Sequence, residues 1–535
     1  MMTRRQTIGS ALALGSATMA RPAFAASGMF PVVETAQGKL RGLQSGGVAV
    51  FKGISYAADT SGVNRFMPPQ PVEPWAGVRD ALHWTDVAPQ IPGDRRHTYA
   101  DLILVDRNPS GMGEDNLSLN LWSPGLDPNA KKPVIVVLHG GGFYSGSGNS
   151  VGMDGEAMAR FSDSVVIAIN HRLGAFGFLH LAEFGGDDFA TSGTVGMQDI
   201  VAALGWVREN VGAFGGDPGR VLVYGQSGGG AKTSVLMAMP GGKGLFHRAG
   251  VMSGSALRMM PPEMASVTAK RLMDALEIGP GDVRKLQEVP WTILLETQAK
   301  LEAADRARGE APRSFAPVVD GIALPRHPWA PDAPAVSADV PMIVSSVLDE
   351  RAYRMGDFSM DQARLTEFAR KRLGDRAEDA VAAYRQEDPE APPFLLAARL
   401  ESDLTFRKSA FAQAELKAKQ GGAPVWTYLW TQPSPAADGR FGAVHGIDVA
   451  PSLYNTRGAL NGSSREANTL AAAIASSWAA FAANGDPNNE NVPEWKPYSP
   501  PERRTMIFDE DLRVESDPRA AFRQYWVGQP ESEAE

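Results

Sequence analysis

The chain has 535 residues, with 52 Lys and Arg against 61 Asp and Glu, a formal net charge of −9. Apolar residues make up 43% and charged residues 21%, ordinary globular usage that excludes a largely disordered chain. There is no cysteine, so disulfides, a thiolate nucleophile and Cys-ligated metal centres are excluded. The acidic balance opposes binding to nucleic acid or to an anionic lipid surface.

The first 25 residues carry Arg4, Arg5 and Arg21 and no acid. Thr3-Arg4-Arg5-Gln6 is followed by an Ala/Gly/Ser-rich stretch, Ile8 to Ala20, too short to span a bilayer. Ala23-Phe24-Ala25 is an A-x-A cleavage pattern. This resembles a bacterial twin-arginine export signal, so residues 1–25 are read as a signal and the mature chain as periplasmic. No second segment of membrane-spanning length follows, and residues 26–535 are read as one domain.

Three apolar runs come next: Pro133 to Leu138, Ser164 to Asn170 and Arg220 to Tyr224. Runs without alternation suit central strands of a parallel sheet covered on both faces. Between the last two, Met197, Ile200, Val201, Leu204 and Val207 fall on one face of a helix. Strand, helix, strand in this order predicts a right-handed βαβ unit, hence an α/β fold. The stretch from about Pro261 to Lys419 reads as a helical cap or peripheral layer, with Asp361 to Ala383 as one helical part. Within it, Pro341 to Leu348 reads as a further strand. Ser463-Ser-Arg-Glu466 predicts a capping box that opens an Ala-rich helix. Leu470, Ile474, Trp478 and Phe481 form its buried stripe and Asn484-Gly485 closes it.

Gly225-Gln226-Ser227-Gly228-Gly229 is a G-x-S-x-G pattern between the Val221 to Tyr224 strand and a helix expected over Ala231 to Met239. A serine on so tight a turn holds its Oγ outward, and small flanking residues avoid collision. The helix behind it places positive potential where an oxyanion would form. His139-Gly140-Gly141-Gly142 follows the Pro133 to Leu138 strand. Its glycines allow the Gly141 and Gly142 amides, with that of Gly228, to form a three-donor oxyanion hole. His139 itself reads as a supporting residue, because it precedes the serine.

A serine needs a base to take its proton. The α/β-hydrolase order is serine, acid, histidine. Three histidines follow Ser227. His247 comes too early to have an acid before it, and His327 reads as a surface-loop residue. His445 lies in Gly442-Ala-Val-His-Gly446, a small-residue loop that leaves an imidazole free to reach the serine. The acid should follow the Pro341 to Leu348 strand, where spacing alone allows either Asp349 or Glu350.

Several further motifs now fall into one pattern. Phe51-Lys-Gly-Ile-Ser-Tyr-Ala57, Arg65-Phe-Met-Pro-Pro69, Glu114-Asp-Asn-Leu-Ser-Leu-Asn120, Asn170-His-Arg-Leu-Gly174, Phe214-Gly-Gly-Asp-Pro218, Phe315 to Gly321 and Gly485-Asp-Pro-Asn488 resemble those of type-B carboxylesterases, the family of the cholinesterases. The resemblance runs from about Val32 to Phe508. It implies an α/β-hydrolase fold: a mostly parallel sheet covered by helices on both faces, with a helical cap. It implies a serine ester hydrolase that acts on small-molecule esters without cofactor or metal. Residue by residue it implies Ser227 as nucleophile, His445 as base and Glu350 rather than Asp349 as acid. It implies Gly141, Gly142 and Gly228 as oxyanion donors, Ser255 as a support for the acid and histidine, and ion pairs Arg65–Glu114 and Arg172–Asp199.

The chain also departs from that pattern. Gln226 stands where the family usually has glutamate, and Gly228 where it usually has alanine, a change expected to loosen the turn. The stretch Leu102 to Gly113 lacks the choline-binding tryptophan, which argues against cholinesterase activity. Arg313 and Phe315 stand in the segment that resembles the acyl pocket. A guanidinium there would suit a polycarboxylic acyl group, as in a fumonisin-type ester; an ordinary solvated loop residue is the plainer reading. The rival functions are an amidase or carbamate hydrolase with the same three residues, and a binding protein on the same fold.

Overall fold

The predicted apolar runs form the centre of a large sheet. The computed structural model describes residues 28–92, 109–308, 315–456 and 460–527. The expected signal, residues 1–25, and Arg313 lie outside the described residues.

Fourteen strands are described. β1 (Val32–Glu34), β2 (Lys39–Arg41) and β5 (Val78–Asp80) make a small separate sheet. The other eleven are β3 (Leu43–Ser45), β4 (Val48–Ser55), β6 (Ser118–Ser123), β7 (Lys132–Leu138), β8 (Val165–Ile169), β9 (Gly216–Gln226), β10 (Arg248–Met252), β11 (Met342–Val347), β12 (Val425–Trp430), β13 (Arg504–Phe508) and β14 (Arg513–Ser516). They lie in the order β14-β13-β12-β11-β10-β9-β7-β8-β6-β4-β3. The centre, from β8 through β7 and β9 to β13, is parallel, and the strands outside it are antiparallel.

Both faces of this centre are dry, as unbroken apolar runs require. Along β7, Val134, Val136 and Leu138 join one core, while Ile135 and Val137 join the other. On the first face packs the helix Val195–Asn210, through Met197, Ile200, Leu204 and Val207. Val201 of the expected stripe is only partly buried. On the second face packs the helix Arg465–Asn484, through Leu470, Ile474, Trp478 and Phe481. That helix ends at Gly485, whose φ of 78° is the left-handed cap a glycine supplies. Its start differs from the expected box. The cap is Ser464, one residue later, whose Oγ accepts from the Ala467 amide at 3.1 Å.

The cap layer is helical as expected, but the stretch read as one helix over Asp361 to Ala383 is two. Gln362–Leu373 and Ala377–Glu387 meet at Gly374, whose φ of 58° breaks the first. With Pro393–Ser402 and Ala520–Trp526 they enclose a third, smaller core around Leu365, Tyr384, Leu400 and Phe522. A buried polar hub tethers this layer. Asp403 accepts hydrogen bonds from Tyr384, Arg407 and Arg519. Burial alone would raise its carboxyl, yet the two guanidiniums hold it down at about 2.

Candidate active site

Four chain segments meet at the carboxyl ends of the central strands. The first is the turn after β9. Ser227 has φ 58° and ψ −123°, a backbone that side-chain-bearing residues rarely adopt. Its N–H donates to the Met252 carbonyl at 2.8 Å, which pins the turn to β10. The helix behind it spans Gly228–Leu236, so it begins immediately after the serine, three residues earlier than expected.

The glycines around Ser227 are demanded by contact. A Cβ on Gly225 would lie 2.4 Å from the Leu138 carbonyl oxygen, and one on Gly229 2.1 Å from it. Gly228 is pressed against the backbone of Gly142, at 2.3 Å from a built Cβ to the nitrogen. The expectation that this glycine loosens the turn is therefore corrected: the position is wedged, not slack.

The second segment is the loop after β7. Gly141 and Gly142 have φ of 85° and 60°, which turns the loop back over the serine. Both line one cavity with Ser227, His445, Gln226, Tyr144 and Tyr353. His139 points away from the cavity floor into the protein. It is buried and stacked on His171, with ring centroids 4.9 Å apart.

The third and fourth segments bring the carboxylate and the imidazole. Glu350, just after β11, is fully buried; its Oε1 accepts from the Val347 N–H at 2.9 Å. Its Oε2 lies 2.5 Å from His445 Nδ1. Asp349 turns the other way. Arg399 donates to it at 3.1 Å and the Ala443 amide at 2.9 Å. Burial raises the Asp349 carboxyl, and these donors oppose that. The geometry thus separates the two acids that spacing left open: Glu350 touches the imidazole, and Asp349 holds the loop that carries it.

The His445 ring is clamped by aromatic faces, Tyr353 at 5.1 Å and Phe406 at 4.8 Å. With Nδ1–H donated to Glu350, Nε2 is left as the acceptor. The Gln226 side-chain amide lies 3.2 Å from it. In the sequence Gln226 stands out only as a replacement of the usual glutamate; a contact between residues 226 and 445 has no local signal.

Three expected details fall elsewhere. The Ser255 hydroxyl is buried and makes no hydrogen bond, so the Val347 amide supports Glu350 instead. Phe315 is buried in the first core and does not line the cavity; it packs where a specificity residue was expected. His327 is part-buried and accepts from the Met259 amide at 3.2 Å. The two expected ion pairs form with paired contacts. Arg65 Nε and Nη2 each reach Glu114 at 2.6 Å, and Arg172 reaches Asp199 at 2.9 and 2.6 Å. Among the described residues no cluster of metal ligands occurs, and no helix is long and apolar enough to cross a membrane.

A serine on a strained strand-to-helix turn, an imidazole on a carboxylate and a glycine loop above a parallel sheet define an ester hydrolase of the α/β-hydrolase fold. The chain belongs to the carboxylesterase family, whose pattern it matches over residues 30–526. It is 33% identical over 503 residues to the para-nitrobenzyl esterase of Bacillus subtilis, covering 92% of this chain and 98% of that one. It is 32% identical over 504 residues to the phenmedipham hydrolase of Pseudarthrobacter oxydans, covering 91% and 97%. Among solved structures, a Geobacillus stearothermophilus carboxylesterase matches with a TM-score of 0.78 at 33% identity, covering 92% of this chain and 99% of that one. An esterase from Clostridium hathewayi described as hydrolysing aliphatic aromatic polyesters matches with a TM-score of 0.81 at 32% identity, covering 93% and 98%.

Proposed function

We propose that this carboxylesterase works through an acyl-enzyme on Ser227, with His445 as base, Glu350 as its partner and the Gly141, Gly142 and Gly228 amides as oxyanion donors. The observation that carries the reading is the single cavity lined by Ser227, Gly141, Gly142 and His445, with Glu350 2.5 Å behind the imidazole. Ser227 Oγ adds to the ester carbonyl as its proton passes to His445 Nε2. The Gln226 amide gives up Nε2 at this step. The oxyanion is held by main-chain N–H groups, and His445 then hands the proton to the leaving alcohol. Water repeats the sequence and frees the acid. Ser227→Ala is expected to abolish hydrolysis of p-nitrophenyl butyrate, and an organophosphate is expected to label Ser227 in intact protein. Full activity in the variant, or labelling elsewhere, overturns the assignment.

For the acyl group, the expectation of a carboxylate-bearing ester, such as a fumonisin-type tricarballylate, rests in the sequence on Arg313, which lies outside the described residues. A different cation, Arg354, lines the cavity beside Tyr353 and His445 and supports the same preference. Arg354→Ala should raise KM for an acidic acyl ester about tenfold and leave a neutral one unchanged. Equal effects on both remove this preference. Matched ester and anilide substrates test the amidase and carbamate alternative, which needs the same groups. Export through a twin-arginine route is supported by Arg4-Arg5 and Ala23-Phe24-Ala25. Cell fractionation of the full chain and of an Arg4→Lys, Arg5→Lys variant tests it; unchanged export of the variant would count against that route.

A further inference from the structure

One buried cation is used by nothing described so far. Lys232 is the fifth residue of the Gly228–Leu236 helix and is fully buried. Among the described residues no carboxylate pairs with it. Its Nζ donates instead to the carbonyl oxygen of His139 at 2.9 Å. His139 is the residue between β7 and the Gly140-Gly141-Gly142 loop. The hydrogen bond therefore joins the helix that starts at the serine to the loop that arches over it.

The groups around this bond are buried, and most are basic. His139 and His171 stack in parallel, and each sets its Nδ1 2.8 Å from a neighbouring carbonyl, of Gly140 and Arg172 respectively. Their Nε2 atoms are buried and make no hydrogen bond. Burial first, and then Lys232, push both imidazoles well below their ordinary value, so both are neutral. Arg172, beyond His171, is neutralised by Asp199. Burial brings the Lys232 ammonium down to about 7, which leaves it costly to keep in this layer. A methionine or leucine would fill the same space without desolvating a charge, but would leave the His139 carbonyl without its donor. A polar group retained against its own desolvation points to a task other than stability.

We propose that Lys232 is a positioning residue for oxyanion stabilisation: by holding the His139 carbonyl it fixes the glycine loop, and so the Gly141 and Gly142 amides, at the right height above Ser227. The proposal rests on the assignment of those amides as oxyanion donors. A donor misplaced by about 1 Å can cost on the order of 10²-fold in rate while substrate binding changes little.

The test uses the full chain with Lys232→Met and, as a second replacement, Lys232→Gln. Three quantities are measured: kcat and KM on p-nitrophenyl butyrate, inhibition by an aryl trifluoromethyl ketone, and the melting temperature. The ketone is the decisive probe, because its adduct with a serine carries an oxyanion in the place the ester's would occupy. The expected result for Lys232→Met is a protein that still folds cooperatively, with a kcat reduced ~10–100-fold, below the full loss of one donor. KM should stay within about threefold, and ketone affinity should fall in parallel with kcat. An unchanged kcat and ketone affinity in a folded variant overturns the proposal. So does a loss of kcat accompanied by lower stability and unchanged ketone affinity, which marks Lys232 as packing alone. If the unaltered protein forms no ketone adduct at Ser227, the assignment of the nucleophile fails, and this reading fails with it. If the adduct forms and the Lys232 variants bind the ketone equally well, only the role of Lys232 is lost.

Discussion

Gly228 shows how a single missing methyl group can set the shape of a catalytic turn. Relatives of the type-B pattern usually carry alanine there, so Gly228→Ala looks conservative. In this chain a Cβ at 228 would lie 2.3 Å from the Gly142 nitrogen and 2.4 Å from its oxygen. Backbone cannot swing aside as a flexible side chain can, so Gly142 would have to move. The expected outcome is a kcat about 10²-fold lower with the protein still folded, read from kinetics alongside a thermal melt. Wild-type turnover in that variant would mean that the loop accommodates the methyl group. The same residue shows where local reading stops. Glycine at 228 was visible and its flexibility was the natural inference, but its neighbour Gly142 lies far away in sequence. The Gln226–His445 contact and the Lys232–His139 bond were hidden for the same reason. By contrast, Ser227 and the Asp349-Glu350 pair were legible because each sits where a recognisable strand gives way to a turn, and His445 because it lies in a loop of small residues.

At the scale of elements, periodicity carried the fold. The runs at β7, β8 and β9 lacked alternation because both sheet faces are covered, and the stripe on Arg465–Asn484 marked the covering helix. Boundaries were less legible because they depend on which oxygen meets which amide. The register of the Ser463-Ser464 pair is the sharpest case. The Ser464 hydroxyl caps the Ala467 amide, whereas the sequence pattern favoured Ser463. Ser464→Ala should therefore lower stability by about 1 kcal/mol in urea denaturation and Ser463→Ala by a few tenths. Equal losses, or the reverse order, would restore the box at Ser463. The break at Gly374 was equally invisible to periodicity, since the residues on either side keep a helical pattern.

For the whole molecule, buried titratable groups set how stability follows pH. His139 and His171 are neutral in the folded protein, while in the unfolded chain each takes up a proton below about 6.5. The unfolded state then binds more protons, so their contribution is intact above that pH and is lost as pH falls below it. Asp448 acts with the opposite sign. Burial raises its carboxyl to about 7, so it favours the fold on the acid side and that contribution fades as pH rises through 7. A single replacement isolates one contribution. His171→Asn should flatten the acid limb of the stability–pH curve by up to ~1.4 kcal/mol per pH unit between pH 5 and 6.5. Curves that stay parallel there would show that His171 keeps its proton in the folded state.

From β9 through β10, β11 and β12 to β13, each new parallel strand lies outside the one before it. Synthesis on the ribosome therefore delivers the shaped serine early, the carboxylate two strands later in the β11 turn, and the imidazole only after β12 has been made. A chain halted anywhere between β9 and the end of β12 would display a nucleophile without its proton acceptor. On the proposed assignment, nascent protein is chemically silent until His445 has been made.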